Sequence, residues 1–180
     1  MKTLFLRFAA TVCLMIASGC FAAQCPLACR DIAARFIADA GRKISNSYGI
    51  HFCGAGASMF DGPMQSITLS FKVKGILSKE QVRKILVTSA QRVLELAKEV
   101  PDLEECLAEP PFGIKNFHII LFMTNSDGTY LQDPCISVGR LSDGLIMYKT
   151  YDPEFKSPKT KNCYEETYEE ALQALEEATQ

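Results

Sequence analysis

The chain predicts an α+β fold, a single domain in which a mainly antiparallel four-stranded sheet packs against amphipathic helices in the order α-β-α-β-β-β-α. Three observations predict it. Residues 65–74 place Ile67, Leu69, Phe71 and Val73 on one side and Ser66, Thr68, Ser70 and Lys72 on the other. That is the two-residue period of a strand with one wet face. Residues 79–100 carry Val82, Ile85, Leu86, Ala90, Val93, Leu94 and Ala97 at the 3.6-residue period of an amphipathic helix. Residues 116–151 hold three strand-like runs separated by Asn125-Ser-Asp-Gly128 and Ser142-Asp143-Gly144, turn sequences suited to a meander.

The elements follow in chain order. Ile32, Phe36, Ala40 and Ile44 recur every four residues, which predicts a helix over 30–47 weakened by Gly41 and ended by Asn46-Ser-Tyr-Gly49. Residues 50–52 read as a short strand. The stretch 54–63, with glycines at 54, 56 and 62, reads as a flexible connector; Gly54-x-Gly56 lacks the third glycine and following helix of a dinucleotide loop. After the 65–74 strand, Ser78 and Gln81 form a capping box and Pro101 stops the long helix. One further helical turn is expected over 102–108. Residues 116–124 are apolar on both faces, as in a central strand. The next strand spans 130–139, or only 135–140, because Pro134 cannot donate to a ladder. Residues 145–151 pair back onto it. Residues 152–161 read as a polar loop, and Asn162 with Glu165 caps a last helix. Its acidic residues Glu165, Glu166, Glu169 and Glu170 crowd the first turns, where the helix dipole favours them.

Ahead of this domain stand Lys2 and Arg7, an apolar run and the small residues Ser18-Gly19-Cys20-Phe21-Ala22-Ala23. This is the three-part layout of a secretory signal over residues 1–23. Two processing routes stay open: cleavage after Ala22 or Ala23, or acylation of Cys20. Ile16-Ala17-Ser18-Gly19-Cys20 resembles the bacterial lipoprotein signal, which implies a lipid on Cys20 and attachment to a membrane. Residues 24–180 then form one domain, with 24–64 supplying a helix and the Gly-rich connector and 65–180 the core. The chain is thereby expected in the cell envelope, in the periplasm or on the outer membrane, or else secreted.

Loss of Lys2 and Arg7 takes the formal charge from −2 to −4, leaving 17 basic against 21 acidic residues. A mildly acidic domain has no footprint for nucleic acid. Six cysteines remain beyond the signal: Cys25, Cys29, Cys53, Cys106, Cys135 and Cys163. An even number in an exported chain of this size points to three disulfides with fifteen possible pairings, six buried free thiols being the alternative. Cys25 and Cys29 are too close in sequence to favour bonding each other.

The candidate chemistry is sparse. His118 would serve as base for a Cys135 nucleophile only if the fold brought them together, and neither lies in a thiol-hydrolase signature. His51-x-Cys53 with Cys25 and Cys29 is not a structural-zinc spacing. Asp127 and Asp143 lie in turns without the later glutamate of an EF-hand loop. The sequence predicts no metal and no cofactor. The functional expectation is an exported, envelope-associated domain that binds another protein or a ligand. Its rivals are an exported thiol- or histidine-dependent hydrolase and a secreted effector.

Overall fold

A computed structural model describes residues 26–59, 62–154 and 158–178. The expected signal, Cys20 and Cys25 lie outside the described residues. In chain order the elements are α1 (Pro26–Tyr48), β1 (His51–Met59), β2 (Met64–Lys74), α2 (Lys79–Lys98), α3 (Asp102–Glu105), a 3₁₀ turn (Ile114–Asn116), β3 (Phe117–Thr124), β4 (Val138–Ser142), β5 (Leu145–Tyr151), β6 (Thr160–Thr167) and α4 (Tyr168–Glu177). The six strands form one sheet in the order β1-β2-β3-β4-β5-β6. The three long helices line one face of it, and α2 touches both α1 and α4.

The α+β class stands, but the expected four-stranded, mainly antiparallel sheet is a six-stranded mixed one. β2 and β3 run parallel, with Ile67 opposite Phe117 and Val73 opposite Met123. Between them α2, about 30 Å long at 1.5 Å per residue, carries the chain back to the end where β2 began. The other neighbours are antiparallel. The order α-β-α-β-β-β-α gains a strand on each side of the sheet.

The start of β1 matches the short strand expected at 50–52, while the rest of β1 and all of β6 escaped the sequence for physical reasons. β1 occupies the expected Gly-rich connector and pairs with β2 from His51–Lys72 to Met59–Met64. A register shift between Phe52 and Gly54 breaks its alternation, so Phe52, Ala55 and Ala57 lie opposite Phe71, Leu69 and Ile67 on one face. At the other edge, β6 takes residues assigned to a loop and a helix start. Exposed on both sides, it needs no apolar period to betray it. Two capping boxes compete there, and the fold uses the later one: Thr167 Oγ1 accepts from Glu170 N and Glu170 Oε2 accepts from Thr167 N. Asn162 instead bonds Asp133 and Thr150. Upstream of β4, the chain from 130 to 137 is a loop, so that strand starts at Val138 rather than at residue 130 or 135.

The core lies between helices and sheet. Ile67, Leu69, Phe71, Phe117, Ile119, Leu121, Leu141 and Ile146 present their buried faces to Phe36, Ile44, Val82, Leu86, Val93 and Ala171. The capping box of α2 forms as expected between Ser78 and Gln81. Cys29 of α1 is disulfide-bonded to Cys106 just after α3, with a Cα–Cα distance of 5.4 Å and a sequence separation of 77. Cys53, Cys135 and Cys163 carry free thiols. Among the described residues, the expected framework of three bridges is therefore one bridge.

Candidate functional site

An open groove lies between α1 and β1. Helix and strand are tightest near the C-terminal half of α1, where Gly41 faces Phe52. A Cβ at residue 41 would lie 2.6–2.8 Å from three atoms of that ring. Gly41, which weakens the helix in isolation, is thus what lets Phe52 seat against it. Phe52 also packs on Phe71, ring centroids 5.5 Å apart. Toward the N-terminal half the two elements enclose a groove of about 520 Å³, lined by Arg30, Ala33, Ala34, Ile37 and Ala38 from α1 and by Phe52, Ala55, Gly56, Ala57 and Met59 from β1. Its walls are small. Ala34, Ala38, Ala55 and Ala57 are all exposed, so none of the described residues covers this apolar strip.

Arg30 is the charged residue of the lining. The other cations of α1 are engaged: Arg35 Nε donates to the Asp31 carbonyl at 3.3 Å. Arg42 and Lys43 each reach Asp39 at 2.7 Å. Those two bonds hold the Asp39 carboxyl below its ordinary range. Arg30 has no ion-pair partner among the described residues.

The residues singled out from sequence do not converge into a catalytic set. His118 Nδ1 lies 2.9 Å from Ser142 Oγ, whose hydroxyl donates to Asp143 Oδ2 at 2.8 Å and accepts from Arg140 at 3.1 Å. Serine, histidine and aspartate are present, but the carboxylate holds the serine rather than the far nitrogen of the imidazole. A proton relay needs the base oriented by the acid. The hydroxyl is also buried. The cluster pins the tight turn at Asp143 (φ 54°) and Gly144 (φ 77°) to β3. Burial lowers the His118 pKa, an effect that Asp143 partly opposes and Arg140 reinforces. Cys135 lies in the loop before β4, and the His118 ring is bonded to Ser142 instead. Burial raises the exposed Cys53 and Cys163 thiols above the usual cysteine range, the reverse of an activated nucleophile.

Cys29, spent in the disulfide, is closed to the zinc set, and Cys25 lies outside the described residues. Asp127 accepts from the backbone and hydroxyl of Thr129 and closes its turn. Among the described residues no three His, Cys, Asp or Glu side chains converge to hold a metal ion. No described helix is long and apolar enough to cross a membrane.

Sequence reasoning missed the groove. Its one legible signal was the run of alanines at 33, 34, 38 and 40 in α1 beside a second small-residue run at 54–58. Together these define a two-layer α+β domain whose open apolar site lies at the sheet edge rather than over its centre. No family model, curated protein or solved structure matches the chain.

Proposed function

We propose that the protein is an exported, envelope-associated binding domain and that the α1–β1 groove is where it holds a protein partner. Export rests on residues 1–23, with Cys20 acylated or the chain released after Ala22 or Ala23. The observation that carries the binding reading is the groove of about 520 Å³, open among the described residues and with mostly apolar walls, a size and lining typical of ligand sites. No relay, activated thiol or metal cluster among the described residues favours the hydrolase.

Two measurements test this reading. The mass of the mature chain should correspond to a start at acylated Cys20 or near Gln24. A photo-crosslinking amino acid at the exposed position Ala38 should form a protein adduct in cells, and one at Phe122, half-buried beside Tyr130 on the sheet face away from the helices, should not. Full-length chain with Met1 in the cytosolic fraction overturns export. An adduct from Phe122 alone overturns the groove.

A further inference from the structure

The groove runs beside a strand with an open outer edge, and the two together decide what fills it. β1 ends the sheet, and it is nine residues long with neither a charged residue nor a proline. Native sheets usually guard such an edge with charges, prolines, bulges or a covering element. The opposite edge follows that rule, since β6 carries Lys161, Glu165 and Glu166. Two register shifts interrupt β1, and between them Gly54 to Ser58 is a regular stretch that carries no charge and no proline. Alternate backbone N–H and C=O groups of an edge strand point away from the sheet, and another extended backbone satisfies them in sequence. Side chains of such a strand recur on one face about every 7 Å. The face in question meets Ala55 and Ala57 below and Ala34 and Ala38 beside it, positions that leave room for small apolar groups.

Charge narrows the occupant further. The lining holds a guanidinium and no carboxylate. Arg30 has no ion-pair partner among the described residues, whereas Arg42 and Lys43 on the same helix are paired with Asp39 and Arg35 donates to the Asp31 carbonyl. An apolar strip with one free cation is complementary to an apolar strand with one anion.

We propose that the groove takes an extended polypeptide as a seventh strand along β1. The guest carries small apolar side chains at alternate positions and one carboxylate, from a side chain or a C-terminus, on Arg30. The inference rests on the groove being the binding site and adds the conformation and chemistry of the partner. The uncharged edge and the cation are separate observations that agree on it.

The test is a selection of phage-displayed random dodecapeptides against the purified, oxidised protein, followed by calorimetry on synthetic peptides. Enriched sequences should show apolar residues at i, i+2 and i+4 with an Asp, a Glu or a free C-terminus at one end. N-methylation of every second peptide amide should weaken binding at least tenfold and of the intervening ones little. R30E should weaken binding at least tenfold, and a peptide bearing Lys in place of the acid should restore it. Loss of affinity on C-terminal amidation assigns the terminal carboxylate, and indifference to it assigns the side chain. Because Ala38 is exposed, A38F should fold and abolish binding. Helical spacing in the enriched peptides, no enrichment, an N-methyl scan without the two-residue period, or a solution dimer with protected β1 amides would each overturn the inference. Helix-spaced peptides displaced by A38F would leave the groove standing as the site. Peptides indifferent to A38F would remove the groove itself.

Discussion

At Gly139 a single missing methyl group sets how close a helix comes to the sheet. A Cβ built there would collide with Val82 Cγ1 and lie 3.5 Å from Leu86 Cδ1. Gly139 faces α2 from β4, and Val82 and Leu86 are both fully buried. G139A is therefore an overpacking substitution, expected to cost about 1–3 kcal/mol by chemical denaturation. V82A alone is expected to cost a similar amount through the cavity it leaves. The combination puts a methyl where one was removed. The double variant should thus be more stable than the two single losses predict, by more than about 1 kcal/mol. Simple additivity in that cycle would show that α2 does not rest on Gly139 as described. Gly41 and Phe52 repeat the arrangement between α1 and β1. In both cases the sequence displayed the glycine and hid its partner, because the partner lies on an element that only the fold brings near.

Elements are tied together by polar bonds that no local pattern announces. Arg83 of α2 grips Glu166 of β6 with two bonds of 2.8 and 2.7 Å, and the Tyr148 hydroxyl of β5 donates to the same carboxylate. Lys79 stands 3.7 Å from that carboxylate and 5.1 Å from the Tyr148 ring centroid. Burial alone would raise the Glu166 pKa, but the bonds from Arg83 and Tyr148 outweigh it and hold the carboxyl below its ordinary value of 4.5. A depressed carboxyl stabilises the fold fully above that ordinary value, and the contribution disappears as pH falls through the lower folded one. E166Q should lose about 2 kcal/mol at pH 7, and its thermal melts should converge on those of the parent as pH falls from 5 to 3. A gap that stays constant over that range would mean the carboxylate charge is not what binds α2 to β5 and β6. In the sequence Glu166 sat within an acidic run that reads as a solvated helix start. The Asn162–Glu165 box expected to mark that start does not form, and the cap of α4 lies five residues later at Thr167. What was legible were the elements with a strong period, α2, β2, β3 and β5. Beyond the short strand expected at 50–52, the two edge strands were not, since an edge exposed to water is under little pressure to alternate.

For the whole molecule, the question is what keeps the groove's two walls together. α1 contacts β1, β2, α2 and α3, whereas β3, β4, β5 and α2 form a block from one contiguous part of the chain. The bond from Cys29 to Cys106 fastens the N-terminal end of α1 to the turn after α3. That turn is itself held to the start of β2, where Met64 N donates to the Cys106 carbonyl at 2.7 Å and Ala108 N to the Met64 carbonyl at 2.8 Å. Both sulfurs are buried. Closing a loop of this length contributes about 4 kcal/mol on chain-entropy grounds. The groove lies over the same end of α1, so the bridge anchors one of its walls. The C29A/C106A variant should lose about 3–4 kcal/mol of global stability. Its amide exchange should also accelerate selectively in α1 and β1, with the amides of β3, β4 and β5 following only the global loss. Uniform acceleration would show the bridge to be a general staple with no special hold on α1. On the proposed export route this carries a functional consequence, because the bond forms only once the chain has left the reducing cytosol. The groove would then be completed at the destination, and a chain retained inside would carry a loosened binding wall.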